Sequence, residues 1–173
     1  MQYWTKVDTL PMSKPAIFFD RDGVLNVDVG YLYKIEDFQW IDGAIEAIKY
    51  FNDKDYYVFV ITNQSGVARG YYTEADIHKL HQWMNQDLAR HNAYIDEFFY
   101  CPHHVKGIIK DYSFDCECRK PKIGMIKKAL DKYDVQLESS LLIGDKDSDI
   151  ECAENAGIKG LKFNAEKLDF YLK

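Results

Sequence analysis

Short apolar runs alternate with longer amphipathic stretches along the chain, and this alternation predicts a series of β-α units. Such units build a mostly parallel central sheet with helices on both faces. The sequence therefore predicts an α/β fold, a Rossmann-like three-layer sandwich. The predicted strands are Ala16 to Phe19, Tyr57 to Ile61, Glu97 to Tyr100, Leu141 to Ile143 and Gly160 to Phe163.

Apolar residues at helical spacing predict helices between and after these strands. They are Ala44 to Phe51, a helix that opens at Thr73, Gly124 to Tyr133, and Asp149 to Ala156. The segment Thr73-Glu74-Ala75-Asp76 resembles a capping signal, and the helix behind it has its apolar positions at Ile77, Leu80, Met84 and Leu88. Gly157 is expected to cap the last helix at its C-terminal end.

The length and composition limit the classes of protein that the chain can belong to. It has 173 residues, of which 47% are hydrophobic, and this predicts one domain over residues 1–173 with a substantial core. The net charge of −6 argues against nucleic-acid binding, which needs clustered Lys and Arg. No secretory leader and no apolar run of roughly 20 residues is present, so we expect a cytoplasmic protein without a membrane segment. Residues 1–13 are expected to form a loosely packed leader, and Lys106 to Asp115 a loop.

Residues suited to phosphate chemistry come directly after three of the predicted strands. Asp20 and Asp22 follow the first, Thr62 to Gly66 follows the second, and Gly144-Asp145-Lys146 follows the fourth. Ligands of parallel sheets bind at the carboxyl ends of the strands, so these residues are expected to meet. Paired carboxylates can bind Mg²⁺, and one can attack phosphorus while the other moves a proton. Asp-x-Asp-Gly alone would be read as a turn, but the residues after the other strands favour catalysis.

Three of the four cysteines cluster in the sequence and indicate a second metal site. Cys101-x-His103 is separated by twelve residues from Cys116-x-Cys118, which gives three soft ligands and an imidazole for tetrahedral zinc. His104 could take the place of His103. Cys152, in the last predicted helix, is expected to be a buried apolar residue.

The chain resembles the haloacid dehalogenase superfamily of phosphohydrolases over nearly its whole length. Asp20-x-Asp22-Gly23, Thr62, Lys120 and Asp145 match the four motifs of that superfamily in order. Within its histidinol-phosphatase-like branch, the chain is most similar to the D-glycero-D-manno-heptose 1,7-bisphosphate 7-phosphatase family. The segments that carry this resemblance are Asp20 to Gly23, Asp28 to Tyr31, Thr62 to Gly70, Cys101 to His104 and Cys118 to Pro121. The chain departs from the family pattern at Val24, where Thr is common, and at Val105, where Pro is frequent.

The resemblance implies a role for each motif residue. Asp20 would attack phosphorus to give an aspartyl phosphate, and Asp22 would act as acid and then base, starting protonated because of nearby carboxylates. Thr62 and Lys120 would position the phosphoryl group. Magnesium would be held by the carboxylates of Asp20 and Asp145 and by the backbone carbonyl of Asp22. Asp149 would orient a metal-bound water or Lys120, or cap a helix.

The resemblance also implies a structural zinc and a sugar-binding site. Cys101, His103, Cys116 and Cys118 would hold the zinc, which would brace Arg119 and Lys120. Arg119 would bind a second anionic group or sugar hydroxyls. The remaining substrate-binding residues would be Asp28, Val29, Gly30, Tyr31, Asn63, Gln64, Ser65 and Lys146. No insertion is long enough for a large cap domain, so we expect an open site, a small phosphorylated sugar as substrate and a monomer.

Other functions stay open at this point. A histidinol-phosphate phosphatase shares the catalytic motifs and the zinc loop, although the Ser65 to Gly70 run favours the heptose enzymes. Another small-molecule phosphatase of the superfamily would also fit. A polynucleotide 3'-phosphatase is disfavoured by the acidic charge, and a zinc-stabilised binding module without catalysis by the intact motif residues.

Overall fold

A five-stranded sheet forms the centre of the computed structural model, which describes residues 13–164, 166–168 and 172. The strand order is β3-β2-β1-β4-β5, and every neighbouring pair is parallel. The strands are β1 (Ala16–Phe19), β2 (Tyr57–Asn63), β3 (Glu97–Cys101), β4 (Leu141–Gly144) and β5 (Lys159–Lys162). The predicted α/β fold with a mostly parallel sheet is confirmed, and each predicted strand lies within three residues of its observed bounds.

The helices also follow the predicted pattern, with differences at their ends. They are α1 (Ala44–Asp53), α2 (Glu74–Ala89), α3 (Gly124–Lys132) and α4 (Asp147–Ala156). Thr73 and Asp76 form the expected capping box at the start of α2, and Gly157 ends α4 at a φ of 73°. The predicted start of α4 at Asp149 is wrong by two residues, because the Asp149 side chain accepts a hydrogen bond from the Lys146 N–H and caps the helix from inside its first turn.

Alternate side chains of the strands pack on opposite faces of the sheet, as the period of two requires. In β1, Ile17 and Phe19 join the core that includes Ile48 of α1 and Met84 of α2. Ala16 and Phe18 join the core on the other face, which includes residues of α3 and α4. Cys152 is 1% exposed within this second core, as predicted, and its burial raises the pKa of the thiol to about 11.

The sheet register brings the ends of the central strands to one edge. Phe19 at the end of β1 pairs with Val60 of β2 and with Ile143 of β4. The Asp20 N–H then donates to the Ile143 carbonyl over 3.0 Å, so the turn after β1 stays beside the turn after β4. This places the residues that follow β1, β2 and β4 together.

Two segments were predicted to lack regular structure, namely the leader at residues 1–13 and the loop at residues 106–115. The expected leader lies outside the described residues apart from Ser13, whose carbonyl accepts a hydrogen bond from the Gln136 amide. The expected loop at residues 106–115 contains one short 3-10 turn, Lys110–Tyr112. No helix in the described part of the chain is long and apolar enough to cross a membrane.

The Ser140 hydroxyl forms two hydrogen bonds at the start of β1, the central strand. Replacement of Ser140 provides a test of the fold. Its Oγ, in a residue 1% exposed, accepts from the Ala16 N–H over 2.9 Å and donates to the Gln136 carbonyl over 2.6 Å. We expect Ser140→Ala to lower the free energy of unfolding by about 1–3 kcal/mol, since a buried backbone donor loses its partner. Urea unfolding measures this, with Ser139→Ala at the exposed neighbour as control. An equal effect of both substitutions would contradict the assigned bond.

Candidate active site

The ammonium group of Lys120 lies at the centre of the polar edge. Its Nζ is 2.8 Å from Asp20 Oδ1, 2.6 Å from Asp149 Oδ1 and 2.9 Å from the Ile61 carbonyl oxygen. All of these groups are buried. Burial alone would lower the pKa of Lys120, but the two carboxylates outweigh it and raise the pKa above its ordinary value. Lys120 is therefore a permanent cation between β1, β2 and α4.

Negative charge exceeds positive charge around Asp20. Oxygen atoms of Asp20, Asp145 and Asp149 all lie within 4.8 Å of one another. Burial raises the pKa of Asp20 to about 8, Lys120 opposes this, and Asp149 adds to it. The buried Asp145 Oδ1 receives no hydrogen bond from the described residues, and Lys146 Nζ is 3.7 Å from it. Three hard carboxylate ligands with a surplus of negative charge suit a divalent cation such as Mg²⁺.

Gly23 and Gly144 leave the space that the side chains of Asp145 and Asp149 occupy. A Cβ at Gly23, whose φ is 86°, would collide with the Asp145 carboxylate. A Cβ at Gly144 would collide with the Asp149 side chain. Both positions therefore require the absence of a side chain.

The carboxylate of Asp22 has surroundings that differ from the expected ones. It accepts hydrogen bonds from Arg21 Nη2 at 3.1 Å, Asn26 Nδ2 at 3.0 Å and Gln64 Nε2 at 2.9 Å. Burial raises its pKa, but Arg21 and the amide donors outweigh burial and hold the pKa below its ordinary value. The expectation that nearby carboxylates keep Asp22 protonated is wrong for the unliganded site, because its neighbours are a cation and amide donors.

Arg21, between the two aspartates, was not among the predicted site residues. It is fully buried, and its Nη2 also donates to the Leu32 carbonyl over 3.1 Å. Its Nη1 contacts His81 Nε2 at 3.1 Å, and the His81 ring stacks on Phe98. Burial and the nearby guanidinium hold the pKa of His81 well below its ordinary value, so the ring is neutral and its Nε2 can accept from Arg21. The only signal for this role in the sequence is the position between Asp20 and Asp22.

Thr62 and Asn63 end β2 beside Lys120. Asn63 Oδ1 accepts from the Lys120 N–H at 3.0 Å, and Asn63 Nδ2 donates to the Lys120 carbonyl at 3.3 Å. The amide of Asn63 thus fixes the Lys120 backbone. Thr62 is 1% exposed, and its Oγ1 accepts from Gln64 Nε2 at 2.7 Å.

A cleft of about 400 Å³ opens over these groups. Most predicted catalytic and substrate-binding residues line it, namely Asp20, Asp22, Asp28, Gly30, Tyr31, Thr62, Asn63, Gln64, Ser65, Arg119, Lys120 and Lys146. Val29 is not among the residues that line the cleft and is 55% exposed, but it lines an adjoining cavity with Gly30 and Tyr31, so its place in the sugar site stays a prediction. Tyr72, Ser148 and Asp149 line the cleft although the sequence did not predict them as substrate-binding residues.

The four predicted zinc ligands also lie close together. Ligand atoms of Cys101, His103, Cys116 and Cys118 lie within 4.8 Å of one another. The sulfur atoms are 2.8–3.5 Å apart, well beyond the roughly 2.05 Å of a disulfide, and His103 Nδ1 is 3.2 Å from Cys118 Sγ. His104 is turned away, and its Nδ1 accepts from the Lys106 N–H. Three thiols and one imidazole at these separations could hold a tetrahedral soft metal ion.

The loop between these cysteines packs on the motif after β2 and on α2. The Ile108 and Ile109 N–H groups both donate to the Ala68 carbonyl, at 2.8 and 2.9 Å. Tyr112 in the loop and Tyr100 of β3 donate to the two carboxylate oxygens of Glu74, at 2.6 and 2.7 Å. The loop is therefore hydrogen-bonded to the segment after β2 and to the first turn of α2.

The parallel sheet with this set of residues at its edge defines a phosphohydrolase of the haloacid dehalogenase (HAD) superfamily. A family model described as HAD-hydrolase-like matches residues 117–163. The chain belongs to the heptose-1,7-bisphosphate 7-phosphatase family within that superfamily, as its similarity to curated relatives shows.

One relative, the D-glycero-beta-D-manno-heptose-1,7-bisphosphate 7-phosphatase of Rhodopseudomonas palustris, is 45% identical over 92% of this chain and 89% of its own. Another, the D-glycero-alpha-D-manno-heptose-1,7-bisphosphate 7-phosphatase of Photorhabdus laumondii, is 48% identical over 82% of this chain and 77% of its own. Among solved structures, the D,D-heptose 1,7-bisphosphate phosphatase of B. bronchiseptica, complexed with magnesium and phosphate, superposes with a TM-score of 0.74 at 33% identity. That match covers 86% of this chain and 79% of the other.

The contact between Glu74 and the two tyrosines predicts a pH-dependent contribution to stability. Hydrogen bonds from Tyr112 and Tyr100 hold the pKa of Glu74 below its ordinary value. The stabilisation is therefore fully present above the unfolded-state pKa of about 4.3 and is lost as the pH falls through the lower folded-state pKa. We expect Glu74→Gln to lower the free energy of unfolding by about 1 kcal/mol at pH 7, after allowance for partial exposure, and by less as the pH falls below 4.3.

Urea unfolding from pH 7 to pH 3.5 measures this difference. Glu151→Gln on the exposed face of α4 is the matched control. A difference between wild type and Glu74→Gln that stays constant over this range would contradict the ionised contact.

Proposed function

We propose that the chain removes the C7 phosphate of D-glycero-D-manno-heptose 1,7-bisphosphate through an aspartyl-phosphate intermediate on Asp20. The observation that carries this proposal is the convergence of Asp20, Thr62, Lys120 and Asp145 at the carboxyl edge of the sheet, at and beside one cleft. The names of the similar proteins support the sugar.

In the first step, an Asp20 carboxylate oxygen would form a bond to phosphorus while the bond from phosphorus to the C7 oxygen breaks. Asp20 Oδ1 already accepts from Lys120 and from the Arg21 N–H, at 2.8 and 3.0 Å. This leaves Oδ2 as the attacking oxygen. Lys120 and the Thr62 hydroxyl would stabilise the charge on the phosphoryl oxygens.

Asp22 would give a proton to the departing C7 oxygen and then take one from the water that cleaves the aspartyl phosphate. In the free site its neighbours keep it ionised. A doubly charged phosphoryl group entering the cleft would raise its pKa by like-charge repulsion. We infer that substrate itself brings Asp22 to the acid form, and that loss of the leaving group returns it to the base form.

Magnesium would bind to the carboxylates of Asp20 and Asp145 and to the Asp22 backbone carbonyl. The fit rests on the surplus of negative charge there and on the buried Asp145 Oδ1, which has no hydrogen-bond partner in the described part of the chain. When bound, magnesium would offset charge on the phosphoryl oxygens. Asp149, which bonds both Lys120 and the Lys146 N–H, would orient Lys120 and cap α4.

Arg119 and Lys146 would bind the second phosphate of the sugar. Both line the cleft, and the buried Arg119 Nη1 has no hydrogen-bond partner among the described residues. A guanidinium donor of this kind suits a phosphate or sugar hydroxyls. The names of the two relatives specify opposite anomers, beta and alpha, so the assay of phosphate release includes both anomers of the bisphosphate.

Cys101, His103, Cys116 and Cys118 would hold a structural zinc ion. The cluster ends one residue before Arg119 and two before Lys120. Zinc would thereby limit the motion of the loop that brings both cations to the cleft.

The substrate assignment predicts a clear order of rates. With Mg²⁺, we expect kcat/KM for a heptose 1,7-bisphosphate to exceed that for the 7-monophosphate and for histidinol phosphate by about 100-fold or more, because only the bisphosphate offers a second phosphate to Arg119. Phosphate release is measured for both anomers of the bisphosphate and for the two monoesters. Equal or faster hydrolysis of histidinol phosphate would overturn the assignment.

Asp20→Asn tests the nucleophile in the same assay. We expect phosphate release to fall by at least about 10⁴-fold, because an amide cannot form the acyl phosphate. Asp131→Asn, on the exposed face of α3, is the matched control and should keep wild-type rates. Substantial activity of Asp20→Asn would exclude the aspartyl-phosphate mechanism.

The zinc proposal predicts a metal content that depends on one cysteine and not on another. We expect about one zinc per wild-type chain and per Cys152→Ser chain, but none in Cys116→Ser, since Cys152 lies outside the cluster. Zinc loss should lower Tm by about 6–12 °C, which corresponds to about 3 kcal/mol in a chain of this size. Elemental analysis and thermal melts with and without a chelator measure both. An unchanged Tm after verified zinc removal would count against a structural ion.

A further inference from the structure

Both polar atoms of the Gln64 side chain already have partners within the protein. Gln64 is 2% exposed, although the sequence predicted it as a substrate-binding residue. Its Nε2 donates to Thr62 Oγ1 at 2.7 Å and to Asp22 Oδ2 at 2.9 Å, and its Oε1 accepts from the Tyr72 hydroxyl at 2.5 Å. Both protons of the amide and its carbonyl are thus used within the protein.

These bonds fix which way the amide faces. A flipped amide would point its carbonyl oxygen at the Asp22 carboxylate, and two acceptors would then meet in a buried place. Tyr72 supplies the donor for the carbonyl on the other side, since burial raises the pKa of its hydroxyl to about 12 and keeps it protonated. The ring of Tyr72 is held by stacking on Tyr33, and a Cβ at Gly66 would collide with it.

The fixed orientation of the Gln64 amide determines which hydrogen bonds the Thr62 hydroxyl can form. A hydroxyl has one proton, and Thr62 Oγ1 receives the Gln64 proton as an acceptor. Its own proton is therefore available for another acceptor, and Thr62 lines the cleft. Without Gln64, the Thr62 hydroxyl could turn its proton toward the Asp22 carboxylate side instead.

We propose that Gln64, held by Tyr72, is a positioning residue that directs the Thr62 hydroxyl proton into the cleft toward a phosphoryl oxygen. This inference rests on the proposed function, because it takes Thr62 as a donor to the transferring group. It replaces the predicted role of Gln64 in sugar binding. Tyr72, which the sequence did not single out, supports the orientation of the amide.

The test is a double-mutant cycle with 4-nitrophenyl phosphate and Mg²⁺, so that the identity of the sugar does not enter. We expect Gln64→Met to lower kcat by about 10- to 100-fold with a smaller change in KM, because a donor in the transition state is misdirected. Thr62→Val has no hydroxyl to direct. In that background, the fold loss of kcat caused by Gln64→Met should be at least 3-fold smaller than in the wild-type background. Thr62→Ser keeps a hydroxyl and should keep the full dependence on Gln64.

Controls separate positioning from damage to the fold. Gln86→Met, on the exposed face of α2, should leave kcat unchanged. In Gln64→Met with Tyr72→Phe, the Tyr72 hydroxyl is no longer left buried without an acceptor, so Tm should be higher than that of Gln64→Met alone while kcat stays low. Where steady-state turnover of Thr62→Val is too slow, the same cycle is measured on single-turnover rates with enzyme in excess over the ester.

Each outcome decides the inference. A Gln64→Met cost that falls by at least 3-fold in the Thr62→Val background supports it. A cost that falls by less than this, or an effect on KM alone, overturns it. If wild type cleaves the ester and the cycle is additive, this inference fails while the proposed function stands. If wild type cleaves neither this ester nor the sugar bisphosphates, the proposed function itself fails.

Discussion

The buried ammonium of Lys120 is the constraint on which the arrangement of the active site depends. A cation removed from water must be matched by acceptors at fixed places, and removal of one acceptor leaves an uncompensated charge. The acceptors of Lys120 come from three elements, since Asp20 follows β1, Ile61 belongs to β2 and Asp149 belongs to α4. Lys120 itself lies in a loop, so that loop must be held as firmly as the sheet. The two hydrogen bonds between the Asn63 amide and the Lys120 backbone serve this purpose.

The same constraint explains the charge of the cleft. Lys120 is shared between Asp20 and Asp149, so it cannot neutralise both of them together with Asp145. The raised pKa of Asp20 is the consequence, because burial disfavours a carboxylate whose single cationic partner is shared. A nucleophile must be ionised, and a divalent cation at this edge would supply the missing positive charge. Under the proposed function, Lys120 would fix the position of Asp20 and the metal would balance its charge.

The fold and the motif residues could be predicted because their signals are local. Strands that are buried on both faces appear in the sequence as apolar runs. Parallel pairing brings the carboxyl ends of such strands together. The positions of Asp20, Thr62 and Asp145 directly after strands therefore predict that they lie close to one another. The cysteine cluster was predictable from residue type. The errors fall where tertiary contacts decide the outcome. Asp149, which contacts Lys120 from a distant loop, caps α4 by a bond to the Lys146 N–H, and this moved the start of the helix.

The surroundings of Asp22 could not be predicted because they depend on where one side chain turns. Asp20 and Asp22 alone suggest two carboxylates that repel each other. Arg21, which lies between them, instead donates a hydrogen bond to Asp22. Its guanidinium is held there because the Leu32 carbonyl and the neutral His81 ring also accept hydrogen bonds from it. Gln64 approaches Asp22 from the loop just after β2, and its orientation depends on Tyr72, eight residues further on. Because each of these partners is a donor, the Asp22 carboxylate is held in its ionised form in the free site. Under the proposed function, its acid role would depend on the charge of the phosphoryl group, which no pattern in the sequence contains.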